Sequence, residues 1–182
     1  MKKVILIWLL SFLYSKTTGA EQIIIDNFNS SSNNQWQLIS DQVMGGVSEG
    51  SLKFLQDGDQ SYAQLIGAVS TENNGGFLQF STDVRHLEKK DIQGIYLNVR
   101  GNNQTYYVHL RTGGTLLPWH YYASSFEVDK TWQIIRLPLQ SFSPSSGWLR
   151  NSIKPTGIKS LGVVAFGRDH MADIQVAEIG FY

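Results

Sequence analysis

Short stretches in which apolar and polar residues alternate recur along the chain, and a period of two is that of a half-buried β-strand. Ile95, Leu97 and Val99 alternate with Tyr96, Asn98 and Arg100. Tyr106, Val108 and Leu110 alternate with Tyr107, His109 and Arg111. Gly101-Asn102-Asn103-Gln104 lies between these two runs, so they are expected to form a hairpin. Residues 23–28, 51–55, 62–69, 77–82, 120–126, 132–137, 161–166 and 173–181 read as further strands. In the last of these the apolar phase slips between Val176 and Ile179, which predicts a bulge near Ala177. Helical periodicity is nearly absent, with room for a single turn at 87–91 and another at 139–142. About ten short strands joined by turns predict an all-β fold, a two-sheet antiparallel β-sandwich of jelly-roll type.

The amino terminus follows a different rule. Lys2 and Lys3 precede an apolar run over 4–14 broken only by Ser11, and Thr18-Gly19-Ala20 places small residues before Glu21. This is the pattern of a secretory signal peptide over residues 1–20, leaving a single domain over 21–182. The run is shorter than the about 20 apolar residues that cross a bilayer, and an uncleaved leader serving as an anchor is the alternative. The chain has no Cys, which excludes disulfides, thiolate metal sites and lipid attachment through Cys. A Met-Lys-Lys leader and a cysteine-free chain fit a periplasmic or secreted bacterial protein.

Composition narrows the partners. Hydrophobic residues at 42% and aromatics at 12% are enough for a core without metal or disulfide staples. Removal of the leader takes Lys2, Lys3 and Lys16 with it, leaving 12 basic against 15 acidic residues, a net charge of −3. Such a chain without basic runs is a poor ligand for nucleic acid or for an anionic membrane surface. Membrane association is expected only through an uncleaved leader.

Two segments are rich in small and turn-forming residues between hydrophobic strands: Asp41-Gln42-Val43-Met44-Gly45-Gly46-Val47-Ser48 and Ser70-Thr71-Glu72-Asn73-Asn74-Gly75-Gly76-Phe77. Paired glycines permit positive φ or close backbone approach, and Asp, Asn and Ser bond the N–H groups of tight turns. Either loop serves a ligand or simply closes strand ends. With Gly94-Ile95, Val99-Arg100-Gly101, Tyr106, Leu110-Arg111, Trp132, Leu137-Pro138-Leu139, Phe142 and residues 158–162, these motifs resemble the complex I intermediate-associated protein 30 family. The resemblance runs from about Trp36 to Ile179 and implies a galactose-binding-like jelly roll. In mitochondrial members it implies a role in assembling respiratory complex I. The sequence departs from the family pattern at Gln79-Phe80-Ser81 and at Gly167-Arg168-Asp169-His170-Met171.

Chemistry-bearing patterns are few. Gly46-Val47-Ser48-Glu49-Gly50 matches the G-x-S-x-G nucleophile elbow, which would make Ser48 the nucleophile of a serine hydrolase. An elbow needs a helix after the serine, whereas 51–55 alternates like a strand. His86, His109, His120 and His170 show no paired spacing of a zinc site. Asp26 and Glu178 lie on terminal strands where a structural Ca²⁺ would sit, but a calcium cage needs six or more oxygen ligands. The expectation is therefore no metal, no cofactor and no catalytic residue.

If Ile95, Leu97, Val99, Val108 and Leu110 face the core, then Tyr96, Asn98, Arg100, Tyr107, His109 and Arg111 share the other face. Trp119, His120, Tyr121 and Tyr122 would run alongside. Rings with Arg, Asn and His suit a sugar or a protein partner, and the same residues also suit an inner sandwich face. The leading expectation is a non-enzymatic exported module acting by protein interaction, through this face and the loops of Asp41, Gly45, Gly46, Ser48, Glu72, Asn73, Asn74, Gly75 and Gly76. A carbohydrate-binding module is the alternative, so the partner is a protein or a glycan.

Overall fold

The apolar alternation closes into two antiparallel sheets packed face to face, in a computed structural model that describes residues 22–32 and 35–182. The signal peptide expected over residues 1–20 lies outside these residues. The first sheet runs β3 (Glu49–Asp57), β4 (Gln60–Val69), β12 (His170–Phe181), β6 (Gly94–Gly101), β9 (Gln133–Pro138), with β1 (Ile23–Asp26) also paired to β12. The second runs β10 (Ser143–Pro144), β8 (Tyr122–Glu127), β7 (Thr105–Thr112), β11 (Ile158–Phe166), β5 (Phe77–Asp83), β2 (Gln37–Ser40). β2 and β10 are too short to show alternation, so the sequence does not reveal them. Helical structure among the described residues is confined to 3-10 turns, one of them at Leu139–Ser141 as the sequence reading expects.

Ile95, Leu97, Val99, Ile174, Val176, Ile179 and Phe181 of the first sheet face Leu78, Phe80, Tyr106, Val108, Leu110, Leu161 and Val163 of the second, all fully buried. Each such side chain contributes roughly 1.5–3 kcal/mol, so the inward rows decide which face of each strand turns to the core. The bulge falls where the slipped phase predicts it. The register of β12 against β6 shifts between Val176 and Glu178, leaving Ala177 unpaired. That extra residue returns Ile179 and Phe181 to the core, and there β12 exchanges β4 for β1 as its neighbour.

The expected β6–β7 hairpin does not form. β6 pairs with β12 and β9, while β7 pairs with β11 and β8, so the chain arches from one sheet to the other at 102–104. Alternation cannot tell the two apart, because both put one apolar row of each strand in the core. The arch is fixed by side chains: Tyr106 Oη donates to Asn102 Oδ1 (2.7 Å), and Asn102 Nδ2 donates to the Met171 carbonyl (2.7 Å). Asn103 takes φ 58° at the turn itself. Burial pushes the Tyr106 phenol up to about 12, so this bond persists in neutral solution.

Candidate binding face

The two Gly-Gly loops meet at one end of the sandwich around a single carboxylate. Asp41 is fully buried, and its oxygens accept from Ser48 N (2.9 Å), Ser48 Oγ (2.5 Å), Gly76 N (2.5 Å) and Phe77 N (3.2 Å). Burial alone would raise its pKa. The bonds from Gly76, Ser48 and Phe77 outweigh burial and hold the carboxyl below its ordinary value. The glycines are required by closeness: a Cβ on Gly75 or Gly46 would lie 2.5 Å from an Asp41 oxygen. Glu72, Asn73 and Asn74 form the exposed 3-10 turn that presents Gly75 and Gly76, with Asn73 and Asn74 at positive φ. Gly45, at φ 90°, ends the turn over Asp41–Met44. These bonds give both loops a structural use, closing the strand ends around Asp41.

Ser48 belongs to this hub and is not placed as a nucleophile. It is fully buried, its hydroxyl donates to Asp41, and that oxygen accepts from Ser70 N (3.0 Å). β3 follows it where an elbow would need a helix. Asp26 likewise spends its oxygens on the protein, accepting from Phe28 N, Ser32 Oγ and Trp36 Nε1, while Glu178 accepts from Tyr96 Oη (2.9 Å). Among the described residues no three His, Asp or Glu side chains gather as a metal site would require.

The arch divides the expected polar-aromatic face in two. Tyr96, Asn98 and Arg100 lie on the outer face of the first sheet; Tyr107, His109 and Arg111 lie on the outer face of the second, across the whole core. The first face is engaged with itself. Arg100 lies over Trp132 at 4.6 Å and donates Nε to Gln175 (2.6 Å), Tyr96 is bound to Glu178, and Asn98 lines a shallow cleft with Ile134.

The second face carries an aromatic platform. His109, on central β7, stacks on Tyr121 with centroids 4.0 Å apart and planes 9° apart. Phe166 of β11 meets His109 edge-on at 5.4 Å, Tyr107 at 5.7 Å and Tyr121 at 6.2 Å. Rings from β7, β11 and the loop before β8 thus lean over the imidazole, leaving it 8% exposed while Tyr107, Tyr121 and Phe166 stay half-buried and open to solvent. Desolvation lowers the His109 pKa to about 4, so the ring is neutral at physiological pH. Tyr107 continues into a cleft of about 630 Å³ lined by Gln104, Glu127, Asp129, Gln133 and Arg168.

Arg111 turns away from this platform and donates to the carbonyls of Thr115, Leu117 and Pro118, bracing the loop before β8. On that loop Trp119 is exposed and His120 is buried. Tyr121 stands beside the nominated residues in sequence, but Phe166 is missed. Its signal is present: with Leu161, Val163 and Ala165 facing inward, position 166 must face out.

The model of the complex I intermediate-associated protein 30 family matches residues 26–175. The chain belongs to that family. No curated protein sequence matches it. Among solved structures, a family 11 carbohydrate-binding module from Clostridium thermocellum, in complex with a beta-1,3-1,4-mixed-linked tetrasaccharide, superposes with TM-score 0.67 at 14% identity over 88% of this chain and 94% of that one. A family 11 module of a cellulosomal cellulase from Clostridium thermocellum gives 0.68 at 14% identity over 90% and 95%. A family 30 carbohydrate-binding module gives 0.61 at 11% over 89% and 87%. At these identities the likeness establishes the jelly-roll sandwich for this complex I intermediate-associated protein 30 member.

Proposed function

We propose that this protein is a non-catalytic module that acts outside the cytoplasm and binds a neutral oligosaccharide on the outer face of its second sheet. The observation that carries this reading is the platform of Tyr107, Tyr121 and Phe166 packed over His109. Sugar C–H faces stack on such rings, which their mutual packing holds in place before any ligand arrives. The adjoining cleft offers amides, carboxylates and the Arg168 guanidinium to ring hydroxyls. Glu127 and Asp129 in that cleft favour a neutral chain over an acidic one. The family 11 module that superposes on this chain was solved with a mixed-linked tetrasaccharide, which makes β-glucan oligosaccharides the first ligands to try.

The protein-interaction and carbohydrate readings both drew on one face joining Tyr96, Asn98 and Arg100 to Tyr107, His109 and Arg111; these residues lie on opposite sides of the sandwich, so a partner of either kind would meet only one half of that set. The test is a glycan array followed by calorimetry. Saturable binding is expected, weakened about tenfold or more by Tyr121→Ala or Phe166→Ala, since each removes an aromatic face of the platform and a loss of about 1.4 kcal/mol is tenfold in affinity. Absence of binding across neutral glycans, or equal binding by both variants, would sink the reading.

A further inference from the structure

We propose that the end of the sandwich opposite the Gly-Gly hub docks on an anionic lipid surface, a property independent of the glycan reading. Two loops form this end, 113–121 between β7 and β8 and 145–157 between β10 and β11. They are cross-braced: Ser145 N donates to the Tyr121 carbonyl (2.9 Å), Tyr121 N to Ser145 Oγ (3.0 Å), and Ser145 Oγ to the Trp119 carbonyl (2.9 Å). Arg111 holds the first loop from below through three carbonyls. The loops are therefore fixed, yet they hold large apolar side chains out in water. Trp148 is 93% exposed, Leu116 82% and Trp119 58%.

Cations surround these side chains. Arg150 and Lys154 share with Trp148 a cleft of about 390 Å³, bordered by Gly113 and Gly114. Lys159 Cε lies 3.7 Å from where a Cβ on Gly113 would stand. Arg150, Lys154 and Lys159 meet no carboxylate on these two loops, since neither 111–126 nor 145–159 holds an Asp or Glu. The acids Asp83, Glu88 and Asp91 belong to the neighbouring 83–93 segment, where Asp83 pairs with Arg85 and Lys89 and Lys90 add cations. The net charge of −3 that argued against an anionic membrane is thus an average that hides a cationic end.

The chemistry of this end selects a lipid surface over the other occupants. Separate apolar tips with a Lys/Arg collar insert into headgroups while the cations meet anionic lipid. A protein-binding hot spot would instead sit in a packed patch. With nearly all of Trp148 in solvent, its ring is not held flat for a sugar. The chain also enters the sandwich here. Ile23 pairs with Phe181, and Tyr182 lines a cleft with residues 151–153.

The test uses residues 22–182, which carry every described strand and the whole described core, with vesicles of phosphatidylcholine alone or mixed with phosphatidylglycerol. Co-sedimentation with the anionic vesicles is expected, weakening as salt rises. Trp148→Ser/Leu116→Ser and Arg150→Glu/Lys154→Glu should each lower it about tenfold or more while Tm and glycan affinity stay unchanged. Tryptophan emission should shift to the blue on binding, less so without Trp148. No co-sedimentation at low salt, equal binding to neutral vesicles, or undiminished binding by both folded variants would each overturn the proposal. A self-association through Trp148 without lipid binding would overturn it as well.

Discussion

Asp41 and Gly76 stand 35 residues apart in the chain and are joined by a 2.5 Å bond from the glycine N–H to the buried carboxylate. Through that bond, and those from Ser48 and Phe77, one side chain ties both Gly-Gly loops to the sandwich.

Asp41→Asn keeps one acceptor oxygen but turns a donor toward donors. The expected loss is on the order of 3 kcal/mol, measured by denaturant unfolding. Because the folded carboxyl lies below its ordinary 3.8, its stabilisation is complete above that value and is lost as pH falls through the folded pKa. The stability gap between wild type and Asp41→Ala should therefore narrow in strong acid.

Gly75→Ala tests the closeness rather than the charge. Its methyl would stand 2.5 Å from Asp41 Oδ2, so the loop must move and the hub loosen. A cost of about 1–3 kcal/mol is expected, read as a lower Tm.

His109 should titrate near pH 4 when its ring protons are followed by NMR. Its folded pKa is below the ordinary 6.5, so the neutral buried ring favours folding fully above 6.5 and loses that advantage as pH drops toward 4. His109→Phe retains a ring and removes the charge. Its stability should gain on that of wild type across this window.

Arg100→Ala separates the two outer faces. It removes the guanidinium from Trp132 and Gln175, costing about 1 kcal/mol of stability. Glycan binding should be unchanged, whereas Tyr121→Ala should weaken binding.

Alternation along the chain reveals the longer strands, the inward rows and the bulge at Ala177, but not the short β2 and β10. Each is a matter of period and phase, and burial of apolar side chains enforces both locally. The paired glycine motifs likewise reveal the family, because backbone closeness leaves only Gly tolerable. Sheet partnership is a different kind of fact. An alternating pair of strands buries the same residues whether it forms a hairpin or an arch, so only the tertiary pairing put Tyr96 and Tyr107 on opposite faces. The platform also required the fold, since Phe166 reaches His109 from β11 and Tyr121 from the loop that leads into β8, elements that become its neighbours only through the sheet. Asp41, legible in sequence only as the first residue of a Gly-Gly motif, became the centre of an end once Gly76 was folded against it.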